Sequence, residues 1–515
     1  ITAHIIILNA GPFQNSTILK YIIIMSLTLI LTVFAIYTVV IFSISWFTSR
    51  KADNNSYFQG NRKSPWFVVA YGMVGTSISG VTMISVPGNV INQSFHYMPM
   101  VFGFVVGYAV VALVLLPLYY RMNLTTVYSY LESRFGKFTY KAGASFFILS
   151  RVLGAAVRIY LAVFVLHGIL PVDTIPFWVV ALIFMSLIYL YTSKGGVKTL
   201  IWTDLLQTTF MILAVVVAVI FIARQMGWNF GEMVSAVSTS DYSSWFDFNP
   251  SDNTYFLKQF ISGIFVTISM TGLDQEMMQK NLSCKTLRDS QKNVFTTSIT
   301  IVIVNLLFLT LGAVLALYVQ KHGGMAAMGI SAVDKIFPTI AVNYLGTGVG
   351  IIFLIGLVSA AYPSADGAIT SLTSSWCVDF IGFNRRTDLT ERKKRKIRYH
   401  TQTVYTVVFF VLILVFYILN NEAVINLVYE LASYTYGPLL GFFVFGLLTK
   451  YQVRDKMMPV VAVASPVLCF LLDWVGHRFF QFGFGFTLLI FNGLFSFIGM
   501  WLFRKKPGAE VKMDE

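Results

Sequence analysis

The chain has 515 residues, of which 56% are hydrophobic and only 12% charged, with a mean hydropathy of +0.72. Soluble domains carry about 25% charged residues, so this composition excludes a soluble enzyme or binding module and reads as a polytopic membrane protein. The formal net charge of +14 does not mark a nucleic-acid binder, because the basic residues follow the loops. Three scattered cysteines, at 284, 377 and 469, have neither metal-ligand spacing nor the density of a disulfide scaffold.

The first twenty residues begin without methionine and read as a trimmed or processed leader. Apolar runs of about 20 residues then predict thirteen helices. The first covers 20–48 and is followed by Arg50, Lys51, Arg62 and Lys63. The second, 65–87, is interrupted by Gly72, Gly75 and Gly80 among hydroxyls in "VAYGMVGTSISGVTMISVPG". The third, 97–120, precedes Arg121, Arg134 and Lys137; the fourth, 142–168, carries Arg151 and Arg158, seven residues apart and so on one face. The fifth, 174–193, leads to Lys194 and Lys198, and the sixth, 200–223, holds Asp204 near its start. A polar connection over 225–255 follows, then a seventh helix, 256–274, interrupted around Gly272 in "TISMTGLDQEMMQKNLS". Lys280, Lys285, Arg288 and Lys292 come next, counted as loop charges, before the eighth helix at 294–320. The ninth, 345–379, contains Pro363 and Asp366 in "AAYPSADGAITSLTSSW" and ends before "RRTDLTERKKRKIR". Helices at 401–420, 422–449 (with Tyr429 and Glu430), 457–475 and 482–504 complete the set.

Basic residues fall in alternate connections, which by the positive-inside rule puts the N-terminus outside and the C-terminus in the cytoplasm. The expected place is the plasma (inner) membrane, as a multi-pass protein. No Walker A, HExxH or GxSxG sequence is present, so an enzyme is not expected. Ionisable groups within a membrane mark a functional path by default. The alternatives are bland ones: Arg151, Arg158, Asp366 and Glu430 as structural charge pairs, and Asp204 as a helix cap. Two interrupted helices, five helices apart, point to an inverted-repeat transporter whose unwound segments bind solute and ion near the midplane; close helix packing is the competing reason for the glycines.

The stretches "SYFQGNRKSPWFVVAYGMVGTSISG" (56–80), "LPLYYRMNLTTVYSYLESRFG" (116–136), "TSKGGVKTLIWTDLLQTTFMI" (192–212), "DQEMMQKNLSCK" (274–285) and "YELASYTYGPLLGFFVFGLLTK" (429–450) resemble the sodium:solute symporter family over nearly the whole chain. That resemblance implies an all-α LeuT-type fold with two inverted five-helix repeats. The expected organisation is an N-terminal segment and peripheral helix at 1–64, a first repeat at 65–223, an extracellular connection at 224–255, a second repeat at 256–449, and two peripheral helices with a short tail at 450–515.

The resemblance also implies a main sodium site made by carbonyls of Gly75 and Ile78 in the first core helix with the Ala360 carbonyl and Ser364 hydroxyl of the eighth. A neighbouring family hydroxyl falls on Pro363. Proline lacks the N–H that would bind the Ser359 carbonyl, so the helix should kink there and offer a substitute ligand. Sialic acid symporters of the family have an aspartate at the Asp204 position and hydroxyls at positions 366 and 367. Here Asp366 and Gly367 stand instead, so Asp204 with Asp366 is a candidate second cation site, or a pair that shares a proton.

On the solute side, the glutamate and lysine of the sugar cotransporters align with Val101 and Ile301, which argues against hexose. Ser77, Ser79 and Thr82 resemble the hydroxyls that sialic acid symporters place around substrate. Arg151, or Arg158 if the alignment shifts, matches their carboxylate-gripping arginine, and Tyr429 is the solute-facing position of its helix. The expectation is therefore symport of a small, polar, carboxylated solute, sialic acid leading, with one or two Na+ ions, by a protein that lies in the lipid bilayer, binds no nucleic acid and can act as a monomer. A sugar, amino acid or other monocarboxylate, proton coupling, and a transporter-like sensor or channel without coupled flux are the alternatives.

Overall fold

The computed structural model describes residues 27–50, 53–170, 175–419 and 424–505. The leader reading of the first twenty residues and the C-terminal tail from 506 onward lie outside the described residues. Among those described, ten helices are long and apolar enough to cross a membrane, and two bent pairs raise the number to twelve. In chain order the helices are α1 (Leu27–Ser49), the bent pair α2 (Trp66–Ser77) and α3 (Gly80–Gln93), α4 (Met98–Arg121), α5 (Lys137–Ile169), α6 (Phe177–Gly195) and α7 (Val197–Met226). The second bent pair is α8 (Phe256–Gly272) and α9 (Gln275–Asn281), followed by α10 (Leu287–Lys321), α11 (Thr347–Phe380) and α12 (Glu391–Leu419). The shorter α13 (Val424–Thr435) and α14 (Gly437–Leu448) stand where one helix over 422–449 was expected, and α15 (Met458–Phe480) and α16 (Leu488–Leu502) end the bundle.

Each predicted span overlaps one of these helices or pairs. Several begin earlier than their apolar run, because charged and capped first turns extend them past the membrane edge. In α10, for example, Thr286 accepts a hydrogen bond from the Asp289 N–H at 3.1 Å, which satisfies a donor left open at a helix start. Large apolar side chains such as Ile36, Ile299 and Val463 are exposed on the outer faces, as lipid-facing surface requires. A short antiparallel pairing of Gln452–Val453 with Arg504–Lys505 ties the connection before α15 to the end of α16.

Both interruptions expected from sequence are present. Between α2 and α3 the chain bends by 56°, with Ile78 at φ −97°, ψ 87° and Ser79 fully extended. Between α8 and α9 it bends by 69°, after a π-helical turn over Ile268–Gly272. Open backbone at this depth survives only if its polar groups find partners. The Tyr119 and Tyr128 hydroxyls donate to the Gly272 and Leu273 carbonyls at 2.8 and 2.9 Å, and Asp274 accepts from the N–H groups of Glu276 and Met277 at 2.9 and 3.2 Å.

The predicted kink at Pro363 is not a break: α-helical bonding continues through it from Thr347 to Ser375. The ring removes one ladder bond, and the residues around it, Ser359 to Gly367, are all buried. Tyr37 of α1 supports that packing, accepting a hydrogen bond from Ser359 at 2.9 Å and meeting Tyr362 and Phe210 edge-on at 5.9 and 6.1 Å.

Candidate functional site

The bend between α2 and α3 opens onto a cavity of about 100 Å³ bordered by Ser77, Ile78, Thr82, Arg151 and Arg158, with Tyr97, Phe104, Tyr108 and Asn305. Four of the six residues expected around solute are thus brought together: Ser77, Thr82, Arg151 and Arg158. Ser77 lies 3.3 Å from the Tyr108 hydroxyl. Ser79 is buried and does not border the cavity, because the extended backbone at the bend turns it away. The Tyr429 side chain lies outside the described residues. Glu430 borders a separate cavity with Asp473 and His477.

Burying a charge is costly unless it is paired, and Arg151 is paired. The Arg151 guanidinium bonds the Glu276 carboxylate, and its Nη1 lies 3.6 Å from Asp274 Oδ2. The Tyr436 hydroxyl donates to that same Asp274 oxygen at 2.6 Å. Arg158, two turns along α5, also borders the cavity.

Lys280 corrects the sequence reading more sharply. Counted there as a loop charge, it is 2% exposed, and its Nζ donates to Asp204 Oδ2 and to Thr76 Oγ1, each at 2.7 Å. Glu276 Oε1 is 3.8 Å away, one helical turn back on α9. The bend carries the polar segment "DQEMMQKNLS" into the bundle instead of out to solvent. The only clue in the sequence is the Glu276–Lys280 spacing of four, which places both on one face.

Asp204 and Asp366, expected as one pair, are held by different partners. Asp204 Oδ2 is taken by Lys280 and Thr76, whereas Asp366 Oδ2 accepts from the Tyr191 hydroxyl. Oδ1 of each has no hydrogen-bond partner among the described residues.

Of the residues expected to hold sodium, Ile78 lies at the first bend and Ala360 passes close to it. A Cβ built on Gly80 would stand 3.9 Å from the Ala360 carbonyl carbon, so α11 passes the open backbone of Ile78 and Ser79 at Ala360. Gly75 packs against the Thr208 side chain of α7. Ser364 is buried, with an Oγ that has no partner among the described residues. Buried hydroxyls without partners are uncommon, and carbonyl and hydroxyl oxygens at a helix bend form a hard donor set that suits an alkali cation.

A family-wide sequence description matches residues 57–454, that of the sodium:solute symporter family. The chain belongs to the sodium:solute symporter family. Among curated relatives it is similar to the sodium/sialic acid symporter SiaT of Proteus mirabilis, 22% identical over 85% of this chain and 88% of the relative. It is also similar to the sodium/sialic acid symporter NanT of Aliivibrio fischeri, 23% identical over 86% and 88%, and to sodium-coupled monocarboxylate transporter 1 of Xenopus laevis, 23% identical over 91% and 73%.

Among solved structures, a Na+-coupled sialic acid symporter in a substrate-bound outward-open state matches with a TM-score of 0.79 at 18% identity, covering 93% of this chain and 99% of that one. Mhp1, a nucleobase-cation-symport-1 family transporter, matches with a TM-score of 0.57 at 14% identity, covering 88% and 94%. These matches show the LeuT-type fold. This family member is therefore a multi-pass membrane transporter and not an enzyme, and it couples a small solute to sodium.

Proposed function

We propose that this symporter takes up a small carboxylated solute, with sialic acid as the leading candidate, together with sodium bound at the α2–α3 bend. The observation that carries the reading is the cavity at that bend, bordered by Ser77, Thr82, Arg151 and Arg158, with Ala360 of α11 passing close to the same bend. Gly75, Ile78 and Ala360 would supply carbonyls and Ser364 its hydroxyl to sodium. Ser77 and Thr82 would meet solute hydroxyls. Arg151 and Arg158 both border the cavity, and one of them would take the carboxylate.

The two repeats, 65–223 and 256–449, each hold one bent helix and would rock about this shared site. Removing Lys280 from the loop tally leaves the alternation of basic connections intact, which supports an outside N-terminus and a cytoplasmic C-terminus. A single chain supplies all these residues, so a monomer suffices.

A short monocarboxylate is the second reading. The chain is 23% identical to sodium-coupled monocarboxylate transporter 1 of Xenopus laevis over 91% of its length, which favours a carboxylate of few carbons as that second solute. One experiment separates them. In a thermal-shift panel on purified protein, a ligand at 100 times its Kd adds about 2.7 kcal/mol to the folded state. Counterflow in proteoliposomes with and without a sodium gradient then tests coupling. Flux of the stabilising solute that ignores sodium would sink the proposal.

A further inference from the structure

We propose that the Lys280 ammonium is a built-in cation at the Asp204 carboxylate, so that this symporter carries one sodium ion per solute and not two. The inference rests on the sodium reading above and specifies its stoichiometry.

Asp204 Oδ2, Thr76 Oγ1 and Glu276 Oε1 surround Lys280 Nζ at 2.7, 2.7 and 3.8 Å. All are buried, and carboxylate plus hydroxyl oxygens form the donor set that a small hard cation would also choose. An ion entering there would share Asp204 with an ammonium already in contact, and like charges so close in a low-dielectric interior repel strongly. The ammonium is also tethered, so it competes at high effective concentration.

Two features of the chain bring Lys280 to this place. The 69° bend before α9 aims that short helix into the bundle, and residue 367 of α11 is a glycine. A Cβ at Gly367 would collide with the Glu276 carboxylate, reaching Oε2 at 3.1 Å and closer atoms before it. The bare backbone at Gly367 therefore admits Glu276, which flanks Lys280 on one side as Asp204 does on the other. Ser364 Oγ remains without a partner among the described residues and lies one turn after Ala360 on α11, which leaves donors for a single mobile ion. With one ion per cycle, the solute gradient the transporter sustains follows the first power of the sodium ratio, where two ions would give its square.

Sodium alone is the probe. Equilibrium binding of radioactive sodium to the full chain in lipid nanodiscs should saturate at one ion per wild-type chain, with a Hill slope near one. Lys280→Ala should expose Asp204 and add a second ion, with a steeper slope, and adding Asp204→Asn to it should return the count to one. Should Lys280→Ala not fold, Lys280→Gln, which keeps a donor for Asp204 and Thr76 but carries no charge, takes its place with the same expectation. Two ions per wild-type chain, or a folded Lys280 variant with an unchanged count, would overturn the inference. Absence of any sodium binding by wild type would overturn the sodium reading along with it, and differs plainly from a count of two.

Discussion

Replacing Arg151 with alanine takes the counter-charge from Asp274 and leaves Glu276 with only the Lys280 ammonium, 3.8 Å away. Breaking a buried pair from one side costs about 3 to 5 kcal/mol, and the loss should appear as lower thermal stability in the absence of any solute. Arg158→Lys should act differently. It keeps the charge but not the planar fork, so a carboxylate ligand should bind more weakly by roughly 1.5 to 3 kcal/mol. If Arg151→Lys loses solute affinity and Arg158→Lys does not, Arg151 is the residue that takes the carboxylate. At Asp366, serine keeps an oxygen for the unpartnered position and alanine does not. Asp366→Ala should therefore raise the half-saturating sodium concentration in uptake assays more than Asp366→Ser, and equal sodium dependence of both with wild type would make this aspartate only a partner of Tyr191.

Both bent helices were legible in the sequence, because glycines and hydroxyls inside an apolar run have few uses other than opening a helix. What α9 does with its charges was not legible. A seven-residue polar helix after a bend looks like a loop, and only the direction of the bend decides whether Glu276 and Lys280 meet water or Asp204. Ser77, Thr82 and both arginines could be placed because each lies near a bend or on a face set by helical period, whereas Ser79 turns away through one residue's backbone angles. The fit of α9 to α11 makes a prediction at this scale. Gly367→Ser should push Glu276 off its place beside Lys280 and Arg151, lowering thermal stability, and Gly367→Ser with Glu276→Ala should recover much of the loss. Equal destabilisation by the single and double variants would mean that the contact is slack.

Across the whole molecule, solute and sodium must report on each other equally: whatever factor sodium adds to solute affinity, solute adds to sodium affinity. Binding isotherms taken in both directions should agree, and a mismatch would show that the cavity and the Ser364 region are not one coupled site. The expected two-repeat organisation treats α1 as peripheral, yet Tyr37 grips α11 through Ser359 and Tyr362 and reaches Phe210 of α7. Helix α1 therefore clasps α7 of the first repeat and α11 of the second at once, and the Tyr37 contact should keep its spacing through the transport cycle. A covalent staple between cysteines placed at Tyr37 and Ser359 should leave solute flux running, whereas one between Gly80 and Ala361, which joins α3 to α11 across the ion path, should stop it.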